Sequence, residues 1–170
     1  MTETIYQHYF VKAWLKSIDE PVTFQLAEAA WGRFKRAFTD KREGFLIFAT
    51  IDGRTLALNL AHIQMAKFFT KSSSTEAEIN MDSSPEITVY FLDRDPESFL
   101  VEDPTDLAQA FTVIKPAKNK ESLSFTEREG GRVKFFTTDL VLLDTSTQFV
   151  EQGFLKIYQA KQATKPTRSL

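Results

Sequence analysis

The strongest chemical signal in the sequence is a stretch of interleaved basic and aromatic residues, WGRFKRAFTDKR, at positions 31–42. Aromatic rings that stack on bases, set among Lys and Arg that neutralise phosphates, are typical of proteins that bind single-stranded nucleic acid. The candidate nucleic-acid-binding residues in this stretch are Arg33, Arg36, Lys41 and Arg42. The basic tail at the C-terminus could contribute to the same interface.

A structural interpretation of the same stretch is favoured. Trp31, Phe34 and Phe38 follow one another at spacings of three and four residues, so they share one face of a helix. That face should be buried, which would leave the bases nothing to stack on. The basic residues would then form a solvated outer face.

Histidine chemistry is sparse, because the chain has only His8 and His62. A histidine-rich metal site is excluded, and a Ser-His-acid triad would need one of these two residues. No serine lies in a Gly-x-Ser-x-Gly motif. We expect His62 to lie at a strand boundary bonded to the backbone, and Asn59 to bond the backbone at a bend. The sequence predicts no catalytic residue, and an enzyme is the third alternative.

Six acidic residues cluster between Asp93 and Asp106, and carboxylates can bind a hard cation. Their spacing does not match an EF-hand, and Asp103 before Pro104 is expected to cap a helix.

The glycine pair in EREGGR lacks the Lys-Ser/Thr of a phosphate loop and predicts a hairpin turn. We therefore expect no metal and no cofactor.

Periodicity predicts the elements of the first half. Residues 6–18 alternate like a strand, and residues 19–40 predict an amphipathic helix that begins between Val22 and Gln25 and ends near Thr39. Two apolar runs around Asp52-Gly53 predict a hairpin, because glycine accepts the positive φ of such turns. A further strand, IQMAKFF, precedes a Ser-rich loop that extends from Thr70 to Glu86.

The second half shows a similar order. Residues 87–104 predict two strands and a helix start, and the helix carries Leu107, Ala108, Phe111 and Ile114 on one face. Residues 115–122, KPAKNKES, read as a linker. Residues 123–146 predict three strands with a glycine turn, and residues 147–160 predict a helix with one apolar stripe, which contains Phe149, Val150, Gly153, Phe154, Ile157 and Tyr158.

These elements predict an α+β fold with mainly antiparallel sheet and about three helices. We divide the chain into an N-terminal α+β unit (1–114, hairpin at 52–53), a smaller β-β-β-α unit packed against it (123–160) and a frayed tail (161–170). Aligning Gly53 with Gly130 superimposes two hairpin-and-strand blocks. The alternative of two similar β-rich modules sharing one core, in one sheet or two, therefore stays open.

The hairpin also carries a short pattern in which a turn glycine is followed by Leu-Asn and then by an apolar residue before an exit strand: Gly53, Leu58, Asn59 and Ile63. This pattern resembles the small bacterial modules of the flagellar regulator FlbD family, over residues 51–65 and more loosely to residue 111. The sequence departs from that family at His62, where an apolar residue is usual, and in the Ser-rich segment. The resemblance implies a small β module that acts as a regulator or binding partner, without catalytic residues.

The composition indicates a folded protein and limits its class and location. The 170 residues include 16 Phe and are 42% hydrophobic, which is enough for a core, and a formal charge of −2 gives no global attraction to nucleic acid or an anionic membrane. There is no Cys, which excludes disulfides and thiolate sites. Neither a signal peptide nor an apolar run long enough for a membrane span is visible. We expect a soluble cytoplasmic protein.

Two pairs of adjacent phenylalanines, at 68–69 and 135–136, lie in predicted strands. Successive strand residues face opposite sides, so one Phe of each pair should lie outside the core unless both sheet faces are covered. Exposed apolar strand surface favours protein–protein contacts. The leading prediction is therefore a non-enzymatic binding or regulatory protein, with a homodimer as one form, that contacts its partner through Phe69, Tyr90 and Phe136.

Overall fold

The computed structural model describes residues 2–78, 83–114 and 121–165. Most of the predicted linker, the middle of the Ser-rich segment and the last five residues lie outside these ranges. Within them the elements follow in the order β1 (Tyr6–Leu15), β2 (Val22–Leu26), α1 (Glu28–Thr39), β3 (Phe45–Ala49), β4 (Arg54–Asn59), a 3-10 helix (Leu60–His62), β5 (Ile63–Ser73), β6 (Glu86–Phe91), β7 (Glu97–Leu100), α2 (Pro104–Val113), β8 (Ser122–Thr126), β9 (Arg132–Phe136), β10 (Leu140–Ser146) and α3 (Thr147–Ala163). The predicted α+β class is confirmed.

The centre of the molecule is a five-stranded antiparallel sheet in the order β3-β4-β10-β6-β7. Strand β10, from the predicted C-terminal unit, lies between β4 and β6 of the predicted N-terminal unit. The two units therefore share one sheet. The β8–β9 hairpin meets the end of β7 through a bridge between Val101 and Glu127.

The two faces of the central sheet build two hydrophobic clusters. On one face Ala57 and Leu143 pack with residues of α2, α3 and the β8–β9 hairpin. On the other face Leu56 and Leu58 pack with α1 and with a second, three-stranded sheet in the order β2-β1-β5. Both faces of β4 are therefore covered by other elements, because alternate residues of a strand point to opposite sides of the sheet.

The predicted start of the first helix is wrong. Residues Val22–Leu26 form strand β2, which pairs antiparallel with β1, and α1 begins only at Glu28. Phe24 and Leu26 fit a strand as well as a helix, and pairing with β1 buries both of them. The predicted helix end near Thr39 is confirmed.

The glycine turns have the predicted geometry. The predicted apolar stripe of α3 is only partly buried. Gly53 and Gly130 have φ values of +83° and +95°, in the region that favours glycine. Phe149, Val150 and Gly153 are buried in α3. In contrast, Phe154 and Tyr158 are exposed, because the second half of the helix extends beyond the core.

Asp103 caps α2 as predicted, and its effect should depend on pH. Its side chain accepts a hydrogen bond from the Thr105 backbone N–H at 2.9 Å, which holds the pKa of Asp103 below its usual range. The cap therefore stabilises the fold at neutral pH and is lost as the pH falls through this lowered pKa. We expect Asp103→Ala to cost about 1 kcal/mol at pH 7 and much less at about pH 2 in urea unfolding. Asp103→Asn keeps an acceptor that does not titrate, so it should stay close to wild type at pH 7 and be more stable than wild type at about pH 2. An equal loss for both variants at both pH values would contradict the cap.

Candidate nucleic-acid interface

The three-stranded sheet presents an outer face that lies opposite its core side. Val11, Ala13 and Leu15 of β1 point inward and are buried. The residues that alternate with them in the three strands form what we call the outer face: His8, Phe10, Lys12 and Trp14 of β1, Thr23 and Gln25 of β2, and Met65, Lys67, Phe69 and Lys71 of β5. Helix α1 packs on the inner side, where Phe34 meets Phe48 and Phe68.

Aromatic rings and ammonium groups alternate across this face. Phe10 and Phe69 are partners across β1 and β5, and their rings stack with centroids 5.2 Å apart and planes 11° apart. The Nζ of Lys71 lies 5.5 Å from the Phe10 centroid and 5.7 Å from that of Phe69. The Nζ of Lys12 lies 5.2 Å from the ring of Trp14. The Nζ of Lys67 likewise lies 5.4 Å from the Phe69 centroid.

The charged residues of the outer face are all lysines. None of its ten residues is acidic, although Asp52 and Asp144 line a cavity together with Phe10 and Gln25. Lys12 lies directly opposite Lys67. Like charges directly opposite each other in a sheet are destabilising. The face therefore concentrates positive charge on a protein whose formal net charge is −2.

His8 is fixed at one end of this surface. Its Nε2 donates to the carbonyl oxygen of Thr75 at 3.0 Å, and its Nδ1 accepts from the Gln25 side chain at 3.2 Å. Both bonds tie neighbouring strands and the segment after β5 to the outer face.

Helix α1 and the residues that follow it carry basic side chains, and most of the aromatic surface of the helix is turned inward. Arg33, Arg36, Lys41 and Arg42, the residues predicted to bind nucleic acid, are all exposed. Phe34 is fully buried, as the structural interpretation predicts. Trp31 is used internally, since its Nε1 donates to the Phe10 carbonyl oxygen at 3.0 Å. Two rings do lie beside these cations, since the Nζ of Lys35 lies 5.1 Å from the Trp31 centroid and Phe38 is 38% exposed. The outer face of the sheet brings three lysines and three rings together.

The three residues predicted to bind a protein partner do not come together. Phe69 lies on the outer face, whereas Tyr90 of β6 packs against the cluster between the two sheets, where burial raises its pKa. Phe136 of β9 is 70% exposed, on an element that packs with the other cluster. The strand-alternation argument itself is correct, because Phe68 and Phe135 pack against the core while Phe69 and Phe136 point away from it.

His62 and Asn59 have backbone partners, as predicted. His62 lies in the 3-10 helix and is buried, with its Nε2 3.2 Å from the carbonyl oxygen of Thr138. Asn59 donates to the Leu140 carbonyl oxygen at 2.9 Å and accepts from the Ala61 N–H at 3.1 Å. Within the described ranges, Nδ1 of His62 is the one buried side-chain polar atom without a hydrogen-bond partner.

The acidic cluster serves local structure. Glu97 pairs with Arg94 at 3.0 Å, and Asp106 accepts from the Thr126 backbone N–H at 2.8 Å. Over residues 2–78, 83–114 and 121–165, no group of three or more histidine and acidic side chains is arranged to hold a metal ion.

Comparison with protein families, with curated proteins and with solved structures finds no match to this chain. The resemblance of residues 51–65 to FlbD-like modules therefore stays a prediction. In the described part of the chain, no helix is both long and apolar enough to span a membrane.

Sequence reasoning missed the outer face, although a signal for it is present. Lysine and aromatic residues alternate along β1 as Phe10, Lys12 and Trp14, and along β5 as Lys67, Phe69 and Lys71. Either strand alone is an ordinary amphipathic strand. The interface depends on the register that sets Phe10 beside Phe69.

Proposed function

We propose that this is a non-enzymatic binding protein that holds single-stranded nucleic acid on the outer face of the β2-β1-β5 sheet. The observation that carries the proposal is the surface on which Lys12, Lys67 and Lys71 lie over the rings of Trp14, Phe69 and Phe10. Basic side chains together with aromatic platforms are the combination that such ligands require.

Each component has a defined role in this proposal. Stacking of a base on an aromatic side chain contributes about 1–3 kcal/mol and works for every base. The ammonium groups that lie over the rings in the free protein turn to the phosphates when a strand binds, and so release the ring faces for the bases. The charge repulsion between Lys12 and Lys67 is relieved in the same step, because successive phosphates of the bound strand neutralise the two ammonium groups.

The geometry favours a single strand over a duplex. Phe10, Trp14 and Phe69 are only partly exposed on a sheet surface, so a base reaches their rings only if it is unstacked from its neighbours. A duplex would have only the lysines to contact. We therefore expect weaker binding of a duplex of the same length and sequence.

A protein partner on Phe69 is the competing function, and salt separates the two. Nucleic-acid binding weakens steeply with salt, with a slope of about 0.7 per phosphate contact for a single strand. Association through apolar strand surface should resist salt.

The test is a fluorescence-anisotropy titration of a labelled single-stranded oligonucleotide of about ten nucleotides at several salt concentrations. Combined substitution of Lys12, Lys67 and Lys71 by Gln should lower the affinity at least about tenfold and reduce the salt slope by about 2. Phe69→Ala should weaken binding at every salt concentration and leave the slope unchanged, because it removes stacking and not charge.

The matched control makes the same change of charge on α1, with Arg33, Lys35 and Arg36 replaced by Gln. It should bind like the wild type. If this variant loses affinity and the sheet variant does not, the interface is the basic helix. If neither variant differs from wild type, or if anionic phospholipid vesicles bind more tightly than the oligonucleotide, the proposed function is wrong.

A further inference from the structure

A cleft of about 380 Å³ lies between the β6–β7 hairpin and strand β9, away from the outer face. It exists because the β8–β9 hairpin joins the end of β7 around the Val101–Glu127 bridge and then diverges from the central sheet. Its volume is within the range of about 300–1,000 Å³ that is usual for small-molecule sites.

Phenylalanine dominates the walls of this cleft. Phe91 and Phe99 come from the central sheet, and Phe135 and Phe136 come from β9. The rings of Phe91 and Phe135 are in edge-to-face contact, with centroids 5.6 Å apart and an interplanar angle of 82°, so the central sheet and β9 meet at this point. Phe136 is 70% exposed, so part of this apolar wall faces solvent. Such an array of ring faces and edges is complementary to another aromatic ring.

The charges that line the cleft balance. Arg94 and Lys134 carry positive charge, and Glu97 and Asp139 carry negative charge. Arg94 is paired with Glu97 at 3.0 Å, and its guanidinium lies 5.9 Å from the centroid of Phe91. A ligand with a net charge would therefore meet a repelling group as well as an attracting one.

We infer that this cleft is a binding site for a neutral, planar aromatic molecule about the size of two fused rings. The ligand lies against the rings of Phe91, Phe99 and Phe135, with the exposed ring of Phe136 at the rim of the cleft. The site is independent of the proposed nucleic-acid interface, because the two share no residue.

The probe for this site is N-phenyl-1-naphthylamine, a neutral dye that fluoresces in apolar surroundings, with 2-naphthol as a non-fluorescent competitor. Val133→Trp places a large side chain in the cleft and should lower the affinity for the dye about tenfold. Phe136→Ser removes the exposed ring at the rim of the cleft, so the fold is kept, and should lower the affinity about fivefold.

The matched control is Phe154→Ser, which removes an exposed phenylalanine of α3 outside the cleft and should leave dye binding unchanged. Equal binding by wild type, Phe136→Ser and Phe154→Ser would overturn the site, whether or not Val133→Trp folds. Tighter binding of the anionic analogue 1-anilinonaphthalene-8-sulfonate by about tenfold would overturn the neutral ligand class. A change from dimer to monomer on Phe136→Ser, seen by light scattering, would assign this surface to self-association instead.

Discussion

Gly153→Ala is expected to destabilise the protein by about 3 kcal/mol or more. A Cβ at position 153 would lie 2.1 Å from the carbonyl oxygen of Pro104 and 3.0 Å from the Cβ of Ala108. The first of these atoms belongs to the backbone and cannot move without shifting α2. The two helices must therefore separate, which disturbs the cluster that Leu107, Phe149 and Val150 share.

The measurement is urea-induced unfolding followed by circular dichroism, and Gly32→Ala is the matched control. Gly32 also lies within a helix, but a Cβ there meets only the end of the Arg36 side chain, at 4.0 Å. Because alanine is a better helix former than glycine, Gly32→Ala should stabilise the protein by about 0.5–1 kcal/mol. If Gly153→Ala is as stable as wild type, the backbone of α3 at Gly153 does not lie against the Pro104 carbonyl group of α2.

Asn59→Ala is expected to cost about 2–3 kcal/mol. The Asn59 amide group is buried and donates to the Leu140 carbonyl oxygen, which links the end of β4 to β10. Its oxygen accepts from the Ala61 N–H and begins the turn of 3-10 helix that leads to β5. Alanine leaves a buried carbonyl oxygen without this donor, and the cost of an unsatisfied buried group exceeds the net gain from the bond.

Asn59→Asp tests the direction of that hydrogen bond in nearly the same volume. The carboxylate keeps the acceptor for Ala61 but faces the Leu140 carbonyl oxygen with a second acceptor. At pH 7 this variant should be less stable than Asn59→Ala. Burial raises the pKa of such a carboxyl, and its protonated form can donate to Leu140. The stability difference from wild type should therefore shrink as the pH is lowered from 7 towards 4 in urea unfolding. A difference that is constant with pH would show that Asn59 does not donate to Leu140.

The two proposed binding sites can fail separately. The outer face belongs to β1, β2 and β5, and the cleft belongs to β6, β7 and β9. The lysine variant should lose oligonucleotide binding and keep dye binding. Phe136→Ser should lose dye affinity and keep oligonucleotide binding. A variant that loses both functions has lost its fold, which the urea unfolding curve reports.

Much of the local structure follows from the sequence because its causes are local. The alternation along residues 6–15 requires a strand with one apolar side, and Asp103 with Pro104 sets the start of α2. Gly53 has the positive φ that its turn needs. The burial of Phe34, which removes it from any role in stacking, follows from the period of the helix.

What the sequence left open depends on pairing between distant segments. Residues 22–26 satisfy the period of a helix locally, and only the neighbouring β1 turns them into a strand. The insertion of β10 between β4 and β6 merges two segments that look like separate units. The outer face arises in the same way, since β1 and β5 each carry a modest alternation of lysine and aromatic residues. Only the register that sets Lys12 beside Lys67 and Phe10 beside Phe69 concentrates charge and ring surface in one place, because contacts between distant segments are fixed by the packing of the whole core rather than by local periodicity.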